Sequence, residues 1–271
     1  MTFKKIELSN FNGRKFEIDY YGLMNNDSLL IKKRPLILVF PGGGFVKLAG
    51  RESEPICFAY GNRGFDSAVV RYNVASDGGK IYPDAALSGL TAIKYFRDHA
   101  EELRIDTKKI VLIGFSAGAH VVTSINALTN NVKFKKKYAY SSDEVKFSAM
   151  ILGYPLIDLD QTNVKLLDYN QIADDKVFQN TSLSVDSNTP STYIFQSVDD
   201  PILSVSNSLE YIEALKNNQV PFEAHLYNKG GHGYSLALPE LKEKYEQKYG
   251  FYPRLNSWFD LSLSWLKTMY Q

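Results

Sequence analysis

An apolar run leads straight into a glycine-rich turn at Lys109-Ile-Val-Leu-Ile-Gly-Phe-Ser-Ala-Gly-Ala-His120. The run predicts a buried strand, and the apolar residues that follow the turn predict a helix. Gly114 and Gly118 flank Ser116 in a G-x-S-x-G pattern, and because they lack a Cβ atom they allow a sharp bend between the two elements. Ser116 is therefore predicted to lie at the apex of this bend as a nucleophile, beside the N-terminus of a helix.

Apolar, β-rich runs recur on both sides of this stretch, with helical patterns between them. The predicted strands are Phe3–Leu8, Lys15–Tyr21, Pro35–Phe40, Ser67–Arg71, Lys109–Gly114, Phe147–Gly153, Thr192–Gln196 and Glu223–Tyr227. The predicted helices are Glu54–Arg63, Pro83–Leu103, Ala117–Leu128, Ser206–Asn217 and Arg254–Thr268. This alternation predicts an α/β fold, with a mostly parallel eight-stranded sheet, helices on both faces and an antiparallel pair at one edge.

Two polar stretches fit neither a strand nor a helix pattern. Asn130–Glu144 is rich in lysine and is predicted to be a solvated surface loop. Asp158–Pro190 is rich in Asn, Asp, Ser and Thr and is predicted to be a small cap or insertion above a functional site. The length of 271 residues needs no second domain, so a single domain is expected.

A serine hydroxyl is a poor nucleophile unless a base accepts its proton, so a histidine and an acid that orients it are required. His232 is the predicted base, because Gly230-Gly-His-Gly233 places it on a flexible segment directly after the last predicted strand. His99 is expected on the surface, whereas His120 and His225 are expected to be packed or paired side chains.

The acid is expected directly after the predicted strand Thr192–Gln196. Two carboxylates, Asp199 and Asp200, follow that strand, and both are candidates. Adjacent residues cannot both point at the same imidazole, so only one of them can orient the histidine.

A second glycine-rich segment, Pro41-Gly-Gly-Gly-Phe45, follows the third predicted strand. Glycines let the backbone approach a substrate closely and turn N–H groups towards it. The N–H groups of Gly43 and Gly44, together with that of Ala117, are therefore predicted to form an oxyanion hole. A phosphate-binding loop is not favoured, because no Lys-Ser/Thr pair follows the glycines.

These segments belong to a longer ordered series. The series is Pro41-Gly-Gly-Gly-Phe45, Arg51-Glu-Ser-Glu-Pro55, Arg71-Tyr-Asn73, Tyr82-Pro-Asp-Ala85, Gly114-Phe-Ser-Ala-Gly118, Gly153-Tyr-Pro155, Asp199-Asp-Pro201 and Gly231-His-Gly233. In this the chain resembles the α/β-hydrolase superfamily, and within it the bacterial carboxylesterases related to hormone-sensitive lipases, a group that includes acetyl xylan esterase-like proteins. One departure is Pro41, which stands where lipases have the histidine of their H-G-G-G loop.

The resemblance implies a serine carboxylesterase with a Ser-His-Asp triad that cleaves short-acyl esters, acetylated sugars among them. It selects Asp200 as the triad acid and leaves Asp199 as the alternative. It implies no metal or organic cofactor, and a small-molecule ester as the partner. Two other interpretations stay open: an amidase or peptidase of the same fold, and a non-catalytic ligand-binding relative of the hydrolases.

The composition is that of an ordinary globular protein. The chain has 31 Lys+Arg and 30 Asp+Glu residues, a balance that predicts neither nucleic-acid binding nor an anionic membrane surface as partner. No apolar run is long enough for a transmembrane helix. The single cysteine, Cys57, and a beginning without a signal-peptide pattern predict a cytoplasmic location. Whether the protein forms a homo-oligomer is left open.

Overall fold

Eight strands form one sheet in the computed structural model, which describes residues 1–24, 28, 32–163, 169–242 and 252–271. The strands are β1 Thr2–Ser9, β2 Lys15–Gly22, β3 Arg34–Phe40, β4 Asp66–Arg71, β5 Ile105–Phe115, β6 Ala149–Gly153, β7 Ser191–Ser197 and β8 Phe222–Tyr227. Their order is β1-β2-β4-β3-β5-β6-β7-β8. Strands β1 and β2 pair antiparallel at one edge, β2 is antiparallel to β4, and the other pairs are parallel. The predicted sheet and its antiparallel edge are confirmed.

The helices described are α1 Glu54–Gly61, α2 Asp84–Asp98, α3 Ala100–Leu103, α4 Ala117–Thr129, α5 Val132–Tyr138, α6 Tyr169–Ile172, α7 Ser206–Asn217 and α8 Ser257–Met269. The single helix predicted over Pro83–Leu103 is divided at His99, where the backbone leaves the helical conformation. The first three residues of the helix predicted from Arg254 belong instead to a 3₁₀ turn, Pro253–Asn256, and α8 begins at Ser257.

The helices cover both faces of the sheet because the strand side chains alternate between two apolar clusters. In β3, Leu36, Leu38 and Phe40 face the cluster that contains α2, α4 and α7. Ile37 and Val39 face the other cluster, which α1 and α8 cover. All of these side chains are buried, so the strands of the sheet centre read as continuous apolar runs.

The parallel strands bring their carboxyl ends to one edge of the sheet. In register, Phe40 of β3 lies beside Gly114 of β5, and Phe115 of β5 lies beside Gly153 of β6. Strand β7 follows on the far side of β6, and β8 follows β7. The segments after β3, β5, β7 and β8 are therefore neighbours, although they are far apart in the sequence.

The prediction of a solvated loop over Asn130–Glu144 is wrong for its first half. Val132–Tyr138 forms α5, and the Asn131 side chain accepts a hydrogen bond from the Phe134 N–H group at its start. Phe134 and Tyr138 are buried one turn apart, while the lysines between them face outward. The prediction failed because lysines dominate the composition of this segment, while only two apolar residues, Phe134 and Tyr138, mark the buried face of the helix.

The described part of the predicted insertion covers residues 158–163 and 169–190, while residues 164–168 lie outside the described residues. It contains α6 and two 3₁₀ turns, Lys176–Phe178 and Thr181–Ser184. The Thr181 hydroxyl donates to the Thr123 hydroxyl on α4 at 2.8 Å. On α7, Glu210 accepts hydrogen bonds from Asn180 at 2.6 Å and Ser182 at 2.8 Å. The segment is thus held against two helices that border the sheet edge.

Among the described residues, no helix combines the length and the apolar character that crossing a bilayer requires.

Candidate active site

The turn between β5 and α4 holds Ser116 in an unusual backbone conformation, with φ 53° and ψ −121°. Non-glycine residues rarely adopt positive φ, and the conformation persists because neighbouring segments constrain it. A Cβ atom on Gly118 would collide with the carbonyl oxygen of Phe40, and one on Gly114 with the backbone of the first turn of α4. Both glycines are therefore required by close approach of the backbone, which leaves the Ser116 side chain at the sheet edge.

His232 reaches this serine from the segment after β8. Its Nε2 atom lies 2.9 Å from the Ser116 Oγ atom. Gly231 and Gly233, on either side, have φ values of 67° and 72°, so the histidine is presented by a backbone that favours glycine. We call residues 230–235 the histidine loop.

Asp200 lies behind the imidazole, with its Oδ2 atom 2.7 Å from Nδ1 of His232. Its Oδ1 atom accepts the N–H groups of Ile202 at 2.9 Å and Leu203 at 3.0 Å. The Asp200 side chain is fully buried, whereas 14% of the His232 side chain is exposed. The Gln196 side-chain amide also donates to Oδ2, at 3.4 Å. A buried carboxylate with four donors around it holds the imidazole with Nδ1 protonated and Nε2 free to accept a proton.

The adjacent carboxylate, Asp199, does not contact the imidazole. Its Oδ1 atom accepts the N–H groups of Gly230 at 2.8 Å and Gly231 at 3.0 Å. It therefore braces the start of the histidine loop, and the two aspartates have separate partners.

The segment after β3 turns back beneath the serine, and we call residues 41–45 the glycine loop. Gly43 and Gly44 have φ values of 123° and 63°. No group within the described residues accepts a hydrogen bond from the N–H of Gly43, Gly44 or Ala117. Ala117 is the first residue of α4, where an N–H has no partner within the helix. These three predicted donors are thus available to a ligand.

The rings of the other three histidines have partners other than Ser116 and Asp200. His120 is buried with its Nδ1 atom 2.7 Å from the Tyr82 hydroxyl, and burial lowers its pKa to about 3, which keeps it neutral. His225 pairs with Glu223 at 2.8 Å. His99 is half-buried and stacks on Tyr95, so it is less solvated than the sequence suggested.

One buried residue at this site, Glu52, was missed by reasoning from the sequence. The Glu52 side chain accepts the Gly42 N–H at 2.8 Å and the Tyr154 hydroxyl at 2.8 Å. Glu52 lies in a charged segment, Arg51-Glu-Ser-Glu-Pro55, whose composition is typical of a surface. The only available signal was that this segment is one of the blocks on which the family resemblance rests.

A Gly43→Ala substitution is expected to disrupt the glycine loop. The new methyl group would collide with the Lys47 carbonyl oxygen at a φ of 123°, so the loop and its N–H groups must move. Losing one oxyanion donor lowers kcat by about 100-fold or more, and a comparable loss in ester hydrolysis is expected. Steady-state kinetics on p-nitrophenyl acetate measure it.

Gly64→Ala is the matched control for that substitution. Gly64 also has a positive φ, 90°, but a Cβ atom there would meet nothing within 4 Å. An alanine at this position has the same kind of backbone strain but lies away from Ser116 and the carboxyl ends of the strands. Equal kinetic losses in the two variants would mean that general strain, and not loop geometry, is responsible.

Comparison with known proteins finds relatives of similar architecture. The structure of the carboxylesterase Cest-2923 from Lactobacillus plantarum WCFS1 superimposes with a TM-score of 0.91 at 28% identity, covering 99% of this chain and 98% of that one. The acetyl ester-xyloside bifunctional hydrolase from Caldicellulosiruptor lactoaceticus gives a TM-score of 0.75 at 29% identity, covering 94% and 88%. The α/β-hydrolase fold predicted from the sequence is confirmed.

A curated relative, endo-1,4-beta-xylanase B of Butyrivibrio fibrisolvens, is 29% identical over 226 residues, which cover 81% of this chain. The match takes up only 35% of that relative, so the chain spans about a third of its length. The BD-FAE family profile matches residues 27–215, which is well over half of the chain. The chain therefore belongs to the BD-FAE family of the α/β-hydrolases.

Proposed function

We propose that this protein is a serine carboxylesterase that hydrolyses small esters with a short acyl group, acetylated sugars among them. The observation that carries the proposal is the continuous hydrogen-bonded series from Asp200 through His232 to Ser116. The unused N–H groups of Gly43, Gly44 and Ala117 lie at the same sheet edge. Nucleophile, base, orienting acid and oxyanion donors are the parts that acyl transfer requires.

In the first step, Ser116 Oγ attacks the ester carbonyl carbon while Nε2 of His232 accepts the hydroxyl proton. The carbonyl oxygen becomes an oxyanion bound by the N–H groups of Gly43, Gly44 and Ala117. The carbon–oxygen bond to the alcohol then breaks, and His232 returns the proton to the departing alcohol. An acyl group is left on Ser116.

In the second step, water attacks the acyl carbon and gives its proton to His232. The second tetrahedral intermediate uses the same N–H groups and collapses to release the carboxylic acid, while Ser116 Oγ regains its proton. Asp200 stays ionised throughout and stabilises the imidazolium that forms twice in each cycle.

The substrate class is supported by the names of the similar proteins. One solved neighbour is named an acetyl ester-xyloside hydrolase, and another is named a carboxylesterase. The insertion at 158–190 is short and polar, which favours a small substrate over a long acyl chain.

The same proposal extends to the organisation of the chain, which we take as one domain with a small insertion at 158–190 next to the site. It is supported by the single sheet and by the contacts of Thr181 and Glu210 that hold the insertion to α4 and α7. A cytoplasmic location rests on the single, buried Cys57.

The direct test is a panel of p-nitrophenyl esters from acetate to laurate, assayed beside acetylated xylose and a p-nitroanilide. We expect kcat/KM to be largest for the shortest esters and the anilide to be inert. A fluorophosphonate probe should label the native protein, because it reacts with activated serines. An unlabelled protein with no ester turnover would support a non-catalytic binder, and anilide cleavage would support an amidase.

The proposed base predicts a pH dependence of known sign. His232 must be neutral at Nε2 to accept a proton, so kcat/KM is expected to fall as the pH decreases and the imidazole becomes protonated. The measurement is kcat/KM for p-nitrophenyl acetate between mildly acidic and neutral pH. A flat profile over that range would contradict a histidine base.

A further inference from the structure

A buried carboxylate lies between the glycine loop and the histidine loop. Only 3% of the Glu52 side chain is exposed, although it belongs to a short 3₁₀ turn, Gly50–Glu52, in the loop before α1. Its Oε2 atom accepts the N–H of Gly42 at 2.8 Å. Gly42 directly precedes Gly43, one of the predicted oxyanion donors. A Cβ atom on Gly42 would press against both Glu52 and Ser116, so Gly42 lies close to both side chains.

The other oxygen of Glu52 leads towards the histidine. Oε1 accepts the Tyr154 hydroxyl at 2.8 Å, and that hydroxyl in turn accepts the Ser235 N–H at 3.0 Å. Ser235 lies at the end of the histidine loop, and its own hydroxyl donates to the Arg51 carbonyl oxygen at 2.5 Å. Glu52, Tyr154, Ser235 and Arg51 therefore form a closed ring, and the glycine loop is attached to it through the contact of Gly42 with Glu52.

Tyr154 also touches the catalytic elements with its ring and its backbone. The ring packs edge-on against the His232 imidazole with centroids 5.0 Å apart. The residue before it, Gly153, accepts the Ser116 N–H at 3.0 Å through its carbonyl oxygen. A displacement of Tyr154 would thus move both the His232 imidazole and the backbone of Ser116.

Burying a carboxylate costs free energy unless donors compensate for the lost water. Burial raises the pKa of Glu52 above its ordinary value, and Arg51, the Tyr154 hydroxyl and the Gly42 N–H offset only part of this rise. Its two strong hydrogen-bond partners are both donors, which matches an ionised carboxylate. An apolar side chain of the same size could fill the space but could not hold an N–H and a hydroxyl at fixed distances.

We propose that Glu52 is a positioning residue, which holds the glycine loop and the histidine loop in register through the Gly42 N–H and the Tyr154 hydroxyl. The inference rests on the proposed esterase function. Oxyanion donors act only when they lie at the correct distance from the developing charge, and a displacement of about 1 Å can lower the rate by 100-fold. Glu52 touches no reacting atom, and its effect is transmitted through the two loops.

Two substitutions break the ring at different points. In Glu52→Gln, the single amide oxygen can accept from Gly42 or from Tyr154 but not from both. With the oxygen on Gly42, the NH2 group faces the Tyr154 hydroxyl, which then loses the acceptor of its proton. Tyr154→Phe removes the shared hydroxyl but keeps the ring beside His232. We expect kcat for p-nitrophenyl acetate to fall by about 10- to 100-fold in each variant, with KM nearly unchanged, because the lost contacts favour the transition state.

The double variant shows whether Glu52 and Tyr154 lower kcat through the same ring of contacts or through two independent effects. If Glu52 and Tyr154 act through one ring, Glu52→Gln/Tyr154→Phe should be no slower than the slower single variant. The affinity for a trifluoromethyl ketone, whose hemiketal oxyanion occupies the proposed hole, should fall in parallel with kcat.

Asp66 and Tyr20 form a matched control at the opposite edge of the sheet. The Asp66 side chain is fully buried and accepts the Tyr20 hydroxyl at 2.7 Å and the Leu23 N–H at 2.9 Å, as Glu52 accepts a hydroxyl and an N–H. Asp66 also pairs with Arg34 at 2.8 Å, so Tyr20→Phe, which keeps this ion pair, is the closer match. Asp66→Asn and Tyr20→Phe are expected to lower the melting temperature while leaving kcat near that of the wild type.

The outcomes are distinct. The inference is overturned if Tyr154→Phe and folded Glu52→Gln both keep the wild-type kcat. It is also overturned if the Asp66 and Tyr20 variants lose as much kcat as the Glu52 and Tyr154 variants. Should Glu52→Gln not fold, Tyr154→Phe alone decides between these results. A wild-type protein that turns over no ester and resists the fluorophosphonate removes the proposed function, and this inference with it.

Discussion

Replacing Ser116 by alanine is expected to lower kcat for p-nitrophenyl acetate by roughly 10⁶-fold, the loss found when a triad nucleophile is removed. The reason is that no other hydroxyl among the described residues contacts Nε2 of His232, so the acyl group has no acceptor. The remaining donors and the binding site can still assist water slightly. Labelling by the fluorophosphonate should be lost completely.

The fold of the Ser116→Ala variant should be retained, because alanine has the same backbone preferences at this turn and removes a single oxygen. The measurement is thermal unfolding, followed by circular dichroism, beside kcat. Ser264→Ala, an exposed serine on α8, is the matched control and should keep full activity. A Ser116→Ala protein that retains most of its turnover would end the triad proposal.

Asp200→Asn is expected to lower kcat by about 10⁴-fold with little change in shape. An asparagine amide can donate to Nδ1, which favours the tautomer with the proton on Nε2. That tautomer cannot accept the Ser116 proton. The asparagine also lacks the negative charge with which Asp200 stabilises the imidazolium. The loss should appear in kcat more than in KM, since the carboxylate acts on the transition state.

Asp199→Asn is the control that the chain itself supplies at the neighbouring position. Its carboxylate holds the N–H groups of Gly230 and Gly231, and an asparagine oxygen can still accept from them. We expect a loss of at most about tenfold, the factor that corresponds to one neutral hydrogen bond. Equal losses in the two variants, or a larger loss for Asp199→Asn, would show that Asp200 is not the orienting acid.

Much of the fold could be predicted because it depends on local pattern. Buried parallel strands such as β3 and β5 are apolar on both faces and leave a continuous signal, and the glycines around Ser116 mark the sharp bend between strand and helix. The helix α5 escaped prediction because only Phe134 and Tyr138 anchor it. Its stability comes from packing on the rest of the core, and local composition carries no record of that packing.

The candidate site was predictable where chain geometry itself demands a residue. Gly43 and Gly233 have backbone conformations that other residues avoid, so their glycines were visible in the sequence. Glu52 gave no such signal. A charged residue in a charged segment predicts a solvated surface, and its burial depends on Tyr154, which lies 102 positions away in the sequence.

Local sequence thus specified the strands, the bend at Ser116 and the loop that carries His232, since each depends on residues within a few positions of one another. Only the folded sheet distinguishes the partners of Asp199 from those of Asp200, and only it joins Glu52 to both loops. The physical reason is that parallel strands bring their carboxyl ends to one edge, where groups from remote segments come within hydrogen-bond distance. Such contacts depend on directions in space, which a linear pattern does not contain.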